Sequence, residues 1–393
     1  MATVLSGLDV LARGLPTFLR GRRLGLLCHP ASVTRGLDHA LEVVRRLRGA
    51  QLVRLFAPEH GLVGAAQDQE GVGTEREGTT ALPVVSLYDG TPATLAPTPR
   101  SLAGIDTLVV DLQDVGSRYY TFQWTMVLAM RACAAAGVAV VVLDRPNPLG
   151  GERLEGNVPG PGWTSFVGLH PLPVRHGFTI AEVAAWVNER HEVGCDLTVV
   201  PMRGWRRRMA WEDTGLPWAP PSPNMPTPDT ARVYPGGCLL EGTNLSEGRG
   251  TTKPFEWVGA PYLDGAAFAA GLEGRRLPGV RFRAAAFEPT FHKWRGRRCG
   301  GVQVHVTDAA RFRPFAAYLA LIAEARRQGG RAFRWRRPPY EFEWRRWPFD
   351  LLAGGPGIRR AIERGVPLAR LEATWRPALA AFARARQPYL LYR

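Results

Sequence analysis

The run VAVVVLDRPNP, Val138–Pro148, decides the fold. Its first six residues are apolar without any polar alternation, which marks a strand covered on both faces, as in a parallel sheet. The abrupt change to Asp144-Arg145-Pro146-Asn147-Pro148 puts charge and turn-forming residues at the strand's carboxyl end, where open α/β sheets bind their ligands. Working outward, similar β-rich runs occur at Leu24–Cys28, Leu52–Phe56, Leu108–Leu112 and Leu197–Val200. Between them Leu37–Arg48, Tyr120–Ala136 and Ile180–Glu189 carry apolar residues at helical spacing. Thr179, with Glu182 three residues on, is a capping-box signature for the last of these. The alternation predicts an α/β protein with a Rossmann-like parallel sheet.

The stretch Pro217–Gly237 is too rich in proline for a helix or a central strand to be expected through it. The domain boundary is therefore expected there: residues 1–225 as the Rossmann-like domain and 226–393 as a smaller α+β domain that closes over the cleft. In the second part Val302–Val306 reads as a strand and Phe315–Gln328 as a helix. No internal repeat or low-complexity tail is evident.

Two further strand ends match the first. Leu52–Phe56 runs into Ala57-Pro58-Glu59-His60-Gly61, and Leu108–Leu112 into Gln113-Asp114-Val115-Gly116. Carboxylates thus converge on one crevice. Glu59 reads as a general acid or base or as a loop carboxylate; Asp111 and Asp114 as metal ligands, sugar contacts or caps; Asp144-Arg145 as an internal ion pair or a substrate contact. Beyond the proline-rich stretch, CLLEGTNLSEGRGTTKPF (Cys238–Phe255) sets Glu241, Asn244, Glu247 and Arg249 among glycines, the composition of a binding loop.

Several function classes lose support. No GxGxxG follows the first strand, and neither GxxxxGK nor GxSxG occurs anywhere, against dinucleotide enzymes, P-loop NTPases and α/β-hydrolases. The 393 residues carry a formal net charge of +15, and all of the excess lies after residue 270. Lysine occurs only at Lys253 and Lys293, so the skew is one of arginine. No nucleic-acid recognition signature accompanies it, and solvated arginine-rich helix faces explain it as well as attraction of anionic substrates does. Five cysteines without a CxxC pair suggest free thiols in a reducing compartment. No apolar run approaches a membrane span, and Met1–Leu27 lacks signal-peptide order. A cytoplasmic protein without membrane insertion, nucleic-acid partner or cofactor is expected. Arg118, Tyr119, Tyr120 and Trp124 beside the carboxylates suit a carbohydrate better than a nucleotide.

Taken in order, seven motifs resemble the NamZ-type exo-β-N-acetylmuramidases, long known as a domain of unknown function. They are Phe56–Gly61 (FAPEHG), Leu82–Tyr88 (LPVVSLY), Asp111–Thr121 (DLQDVGSRYYT), Asp144–Pro148 (DRPNP), His170-Pro171, His176-Gly177 and Glu241–Thr251 (EGTNLSEGRGT). The resemblance implies a Rossmann-like domain joined to a smaller lobe with the active cleft between them. It implies release of N-acetylmuramic acid from the non-reducing end of peptidoglycan fragments, in cell-wall turnover and recycling. Glu59 matches the Glu of the family's Glu-His-Gly motif, proposed as catalytic. The motifs supply the expected substrate contacts: His60, Asp111, Gln113, Arg118, Tyr119, Asp144, Arg145, Asn147, His176, Asn244 and Arg249. Two departures stand out: Cys28-His29-Pro30 where relatives commonly have an Asn-containing turn, and no export signal where many relatives carry one.

Cleaving a glycosidic bond requires a proton for the leaving group and a second group that stabilises an oxocarbenium-like centre. Glu59 is expected as the acid, its pKa raised by desolvation between the lobes. The partner is Glu241, Glu247, Asp114 or the substrate's own acetamido group. Arg118, Arg145, Arg175 and Arg249 are the candidates to clamp the lactyl carboxylate. Two other classes remain open, a non-catalytic muropeptide-binding or sensing protein and a metal-dependent hydrolase using Asp111, Asp114, Asp144 and His60.

Overall fold

A computed structural model of the chain describes residues 3–62, 64, 67, 75–78 and 80–393. The strands are β1 (Arg23–Cys28), β2 (Gln51–Ala57), β3 (Glu75–Arg76), β4 (Pro83–Ser86), β5 (Thr107–Asp111), β6 (Ala139–Leu143) and β7 (Leu197–Val200). They form one sheet in the order β3-β4-β2-β1-β5-β6-β7. Six strands are parallel, and β3 runs antiparallel at the edge. Every residue of β5 is buried, as an apolar run lying between two helical layers requires.

The strand order reverses at β1. The chain winds outward through β2 and β4, then returns to lay β5, β6 and β7 on the other side. Cys28 and Asp111, the last residues of β1 and β5, are register partners, so the switch-point crevice opens beside them. Two helices flank the β5–β7 half. Phe122–Ala136 ends at Gly137, whose φ of 67° closes the helix in a left-handed cap. Ile180–Arg190 begins with the expected capping box: the Thr179 hydroxyl accepts from the Glu182 amide at 3.3 Å, and the Thr179 amide donates to the Glu182 carboxylate at 2.9 Å.

The proline-rich stretch departs from the sequence reading, because a helix, Pro228–Gly237, occupies its second half. Pro228 sits in the first turn, where its missing N–H costs nothing. Pro235 lies inside the helix and forfeits the bond to the carbonyl four residues back. Gly236 lets this helix pack on Pro314–Gly329, since a Cβ there would meet the Pro314 carbonyl oxygen at 2.1 Å. The second lobe also holds an antiparallel sheet, β8 (Trp257–Ala260), β10 (Cys299–Val306) and β9 (Val280–Phe287) in that order. Helices Pro348–Leu352, Gly357–Glu363 and Leu368–Ala385 close the chain.

One contiguous apolar core runs from Leu27 and Phe56 through Tyr234 and Phe255 to Trp375 and Phe382, joining both lobes. The chain's end returns to the first sheet, where the Tyr392 hydroxyl donates to Asp144 at 2.6 Å and the Leu391 amide to Glu182 at 2.8 Å. The lobes are thereby joined both through the core and through the C-terminal segment.

Candidate active site

At the end of β2 the chain turns through Pro58–Gly61, closed by the Gly61 amide donating to the Pro58 carbonyl at 3.0 Å. His60 (φ 72°) and Gly61 (φ 79°) are both left-handed. Gly61 adopts that conformation freely, while His60 pays about 1 kcal/mol for it. Such strain persists where the surroundings over-determine it, commonly at functional sites. Phe255 (φ 64°) and Glu341 (φ 45°) share the feature, and all three residues line one cavity.

That cavity draws on both lobes. The first gives Glu59, His60, Tyr119, Tyr120, Thr121, Phe122 and Val167; the proline-rich stretch gives Ser222, Asn224 and Met225; the second lobe gives Tyr234, Glu241, Arg249, Phe255, Tyr340 and Glu341. Glu59 is 4% exposed and accepts a 2.8 Å hydrogen bond from the Thr121 hydroxyl. Thr121 stands immediately before the helix Phe122–Ala136, so the segment after β5 fixes the carboxyl that follows β2, across β1. The Tyr119 hydroxyl, also buried at this cavity, has no hydrogen-bond partner among the described residues.

Glu241 comes from the turn after the helix Pro228–Gly237. One of its oxygens accepts from Arg249 Nη2 at 2.7 Å and the other from the Tyr340 hydroxyl at 2.6 Å. The Arg249 guanidinium lies over the Phe255 ring, 5.1 Å from its centroid. Behind it Glu247 is fully buried, 2.9 Å from Lys293 Nζ, 3.1 Å from His292 Nδ1 and 3.4 Å from Arg249 Nε. Burial alone would raise its pKa, but Lys293, His292 and Arg249 outweigh that and hold the carboxyl well below the ordinary range. Glu247 is thus an anchor for Arg249, outside the cavity lining.

Of the residues singled out in the sequence, Glu59, His60, Tyr119, Tyr120, Glu241 and Arg249 come together at this cavity. The others are spent on the fold. Arg145 binds Asp111 through Nε at 2.6 Å and Nη2 at 2.7 Å, with both side chains buried. Arg118 is fully buried and donates to the carbonyls of Asn157, Leu172 and Leu352. Gln113 bridges the carbonyls of Asp114 and Pro146. Asp114 accepts from the Gly116 amide at 2.6 Å, and burial pushes its pKa up to about 7 against that bond.

Asp144 receives the Thr179 and Tyr392 hydroxyls and the Ala181 amide; burial raises it to about 7 as well. Asn147 donates to the Phe178 carbonyl and accepts from the Leu149 amide. His176, fully buried, accepts from the Phe178 amide. Asn244 holds Tyr262, Arg334 and the Ala332 carbonyl together. Arg175 donates to the Leu149 carbonyl. Among the described residues no three His, Cys, Asp or Glu side chains are grouped to hold a metal ion, and both oxygens of Asp111 are taken by Arg145.

Sequence reasoning missed Thr121, Ser222, Asn224, Tyr234, Tyr340 and Glu341. Thr121 ends the quoted DLQDVGSRYYT motif and was within reach. Tyr340 and Glu341 lie nearly a hundred residues beyond the Gly-rich loop, in a segment with no motif to flag them.

Comparison with known proteins agrees with this architecture. Residues 24–229 match the family model described as exo-beta-N-acetylmuramidase NamZ, N-terminal, and residues 232–392 match its C-terminal counterpart. The chain is 42% identical over 390 residues to the peptidoglycan beta-N-acetylmuramidase NamZ of Bacillus subtilis (strain 168), covering 99% of this chain and 91% of that protein. Two crystal structures of DUF1343 family proteins from Bacteroides fragilis NCTC 9343 share the fold. One has a TM-score of 0.89 at 32% identity, with both chains fully covered. The other has a TM-score of 0.78 at 28% identity, covering 100% of this chain and 99% of that one.

Proposed function

The chain belongs to the exo-β-N-acetylmuramidase NamZ family and is an exo-β-N-acetylmuramidase, and from that premise we propose how its residues divide the work. Glu59 is the general acid that protonates the leaving glycosidic oxygen. Glu241 is the carboxylate that faces the oxocarbenium-like centre, directly or by orienting the substrate's acetamido group. The observation that carries this reading is that a carboxyl from each lobe lines the same cavity. Each is pinned by neighbouring hydrogen bonds, Glu59 by Thr121 and Glu241 by Arg249 and Tyr340. Pinning matters because a catalytic group displaced by ~1 Å loses about a hundredfold in rate.

Arg249 recognises the lactyl carboxylate that distinguishes N-acetylmuramic acid from N-acetylglucosamine. Of the four arginines in the sequence motifs it is the one lining the cavity. A guanidinium presents its donors in one plane, the geometry that matches a carboxylate. Tyr119 and the aromatic walls Tyr120, Phe122 and Phe255 give the sugar apolar contact.

The substrate is a peptidoglycan-derived saccharide, and the setting we propose is cytoplasmic recycling of wall fragments. All five cysteines are free and buried, which suits a reducing compartment, and among the described residues no helix is long and apolar enough to cross a membrane. The test is chromatographic. Wild-type protein and Glu59→Gln are each mixed with N-acetylmuramyl-β-1,4-N-acetylglucosamine, with and without chelator. Free N-acetylmuramic acid from the wild type alone, unaffected by chelator, is expected. Equal release by Glu59→Gln removes the acid from its role, and binding without release favours a sensing protein.

A further inference from the structure

A second cavity, sharing no lining residue with the first, concentrates cations. Five arginines line it: Arg153, Arg175, Arg207 and Arg208 from the first lobe and Arg232 from the second. Glu152, exposed, is the one acid in the lining. Arg207 pairs with buried Glu182 at 2.7 Å, and Arg232 with Glu212 at 2.5 Å and with Asp229. Arg153 and Arg208 are exposed and have no ion pair among the described residues.

Two features go beyond a solvated basic patch. Arg175 and Arg207 are 9% and 7% exposed, and the Nε of each is buried without a hydrogen-bond partner among the described residues. Burial, with the like charges of Arg153 and Arg232 nearby, pushes Arg175 down to about 10 despite Glu155, a repulsion that a bound anion would relieve. The Arg207 guanidinium is also held flat against the main chain by bonds to the Gly151 and Gly177 carbonyls. A Cβ on Gly151 would come within 2.7 Å of it. Arg207 is thereby fixed and contributes its charge, while Arg153, Arg175, Arg208 and Arg232 remain to make contacts in a lining that shares no residue with the glycosidase cavity.

We propose that this cavity binds a phosphate group, carried by inorganic phosphate or by a small phosphate monoester. Guanidiniums approaching from two lobes suit a tetrahedral oxyanion with several acceptors better than a planar carboxylate with two. Leu149 and Phe312 in the same lining would face the organic part of an ester. Because Arg232 and Phe312 belong to the second lobe, an occupied site ties the lobes together and stabilises the fold by mass action.

The experiment reads binding without reference to glycosidase activity. Thermal unfolding and calorimetric titration are run at fixed ionic strength with inorganic phosphate, glucose 6-phosphate, glucose or acetate, on wild type and on Arg153→Glu/Arg208→Glu. Both altered residues are exposed and have no ion pair among the described residues, so the variant is expected to fold and to keep its basal activity. Phosphate and glucose 6-phosphate are expected to raise Tm, and the double variant to weaken both by at least about tenfold, the loss of a charge-assisted contact. Tighter binding of the ester assigns the site to a phosphorylated metabolite, and equal binding assigns it to the free ion. No shift with either, an equal shift with acetate, or a shift kept in the variant overturns the proposal.

Discussion

Replacing Arg145 by Met tests whether the Asp144-Arg145 motif serves the fold or the substrate. Arg145 makes two bonds to Asp111, at 2.6 and 2.7 Å, with 4% and 0% of the side chains exposed. At an effective dielectric of about 20 the gross attraction is about 6 kcal/mol. Removing one partner of a buried pair costs less than that, typically about 3–5 kcal/mol, mostly because a carboxylate is left buried and uncompensated. Against a typical total stability of about 5–15 kcal/mol, that is a large share. Adding Asp111→Asn removes the stranded charge, so the double variant should recover about 2 kcal/mol or more. Urea unfolding of wild type, Arg145→Met and Arg145→Met/Asp111→Asn gives these differences, and KM for the muramyl disaccharide measured below the transition should stay within about threefold. A cost below about 1 kcal/mol accompanied by a tenfold rise in KM would refute the structural role and return Arg145 to the substrate.

Other outcomes follow from the same geometry. Arg249→Ala should raise KM for muramyl substrates about tenfold to a hundredfold and erode discrimination against N-acetylglucosamine, because a charge-assisted pair is worth about 1.5–3 kcal/mol; comparative kinetics on both sugars decides it. Thr121→Val removes the hydroxyl that fixes Glu59 and should lower kcat about tenfold, with thermal unfolding showing the fold intact. Burial, with Arg386, Arg118 and Arg207 nearby, pushes His176 down to about 3. The unfolded chain therefore takes up a proton near pH 6.5 that the folded chain refuses, and the contribution to stability, complete above that pH, is lost as pH falls toward 3. Between pH 6.5 and 5 this amounts to about 2 kcal/mol. The stability deficit of His176→Gln should shrink by that amount from pH 7.5 to pH 5.0 in urea unfolding, and an equal deficit at both would contradict the assignment.

Much of the parallel sheet was legible because its strands declare themselves locally. Val140–Leu143 and Leu108–Val110 are β-branched or apolar throughout and end in turn residues, and the Thr179–Glu182 capping box marks a helix start within four residues. The second lobe was less so. Trp257–Ala260 and Val280–Phe287 are interrupted by glycine, arginine and alanine, and they become strands only through pairing with Cys299–Val306. Glu59 was legible because a charged residue trapped between Pro58 and the left-handed turn at Gly61 has little freedom. Arg118, Arg145 and Asp144 lie in equally suggestive motifs, yet their side chains turn into the protein. Whether a guanidinium meets a carbonyl or a ligand is set by partners such as Leu352, more than two hundred residues away, and no local pattern encodes that.

The role of Glu59 is tested most directly by changing the leaving group. Wild type and Glu59→Gln are compared on the muramyl disaccharide, whose alcohol must be protonated to depart, and on the 2,4-dinitrophenyl β-glycoside of N-acetylmuramic acid, whose phenol departs unaided. General-acid catalysis predicts a loss of about 10²–10⁴ in kcat/KM on the disaccharide and little loss on the aryl glycoside. Equal losses on the two substrates would contradict it.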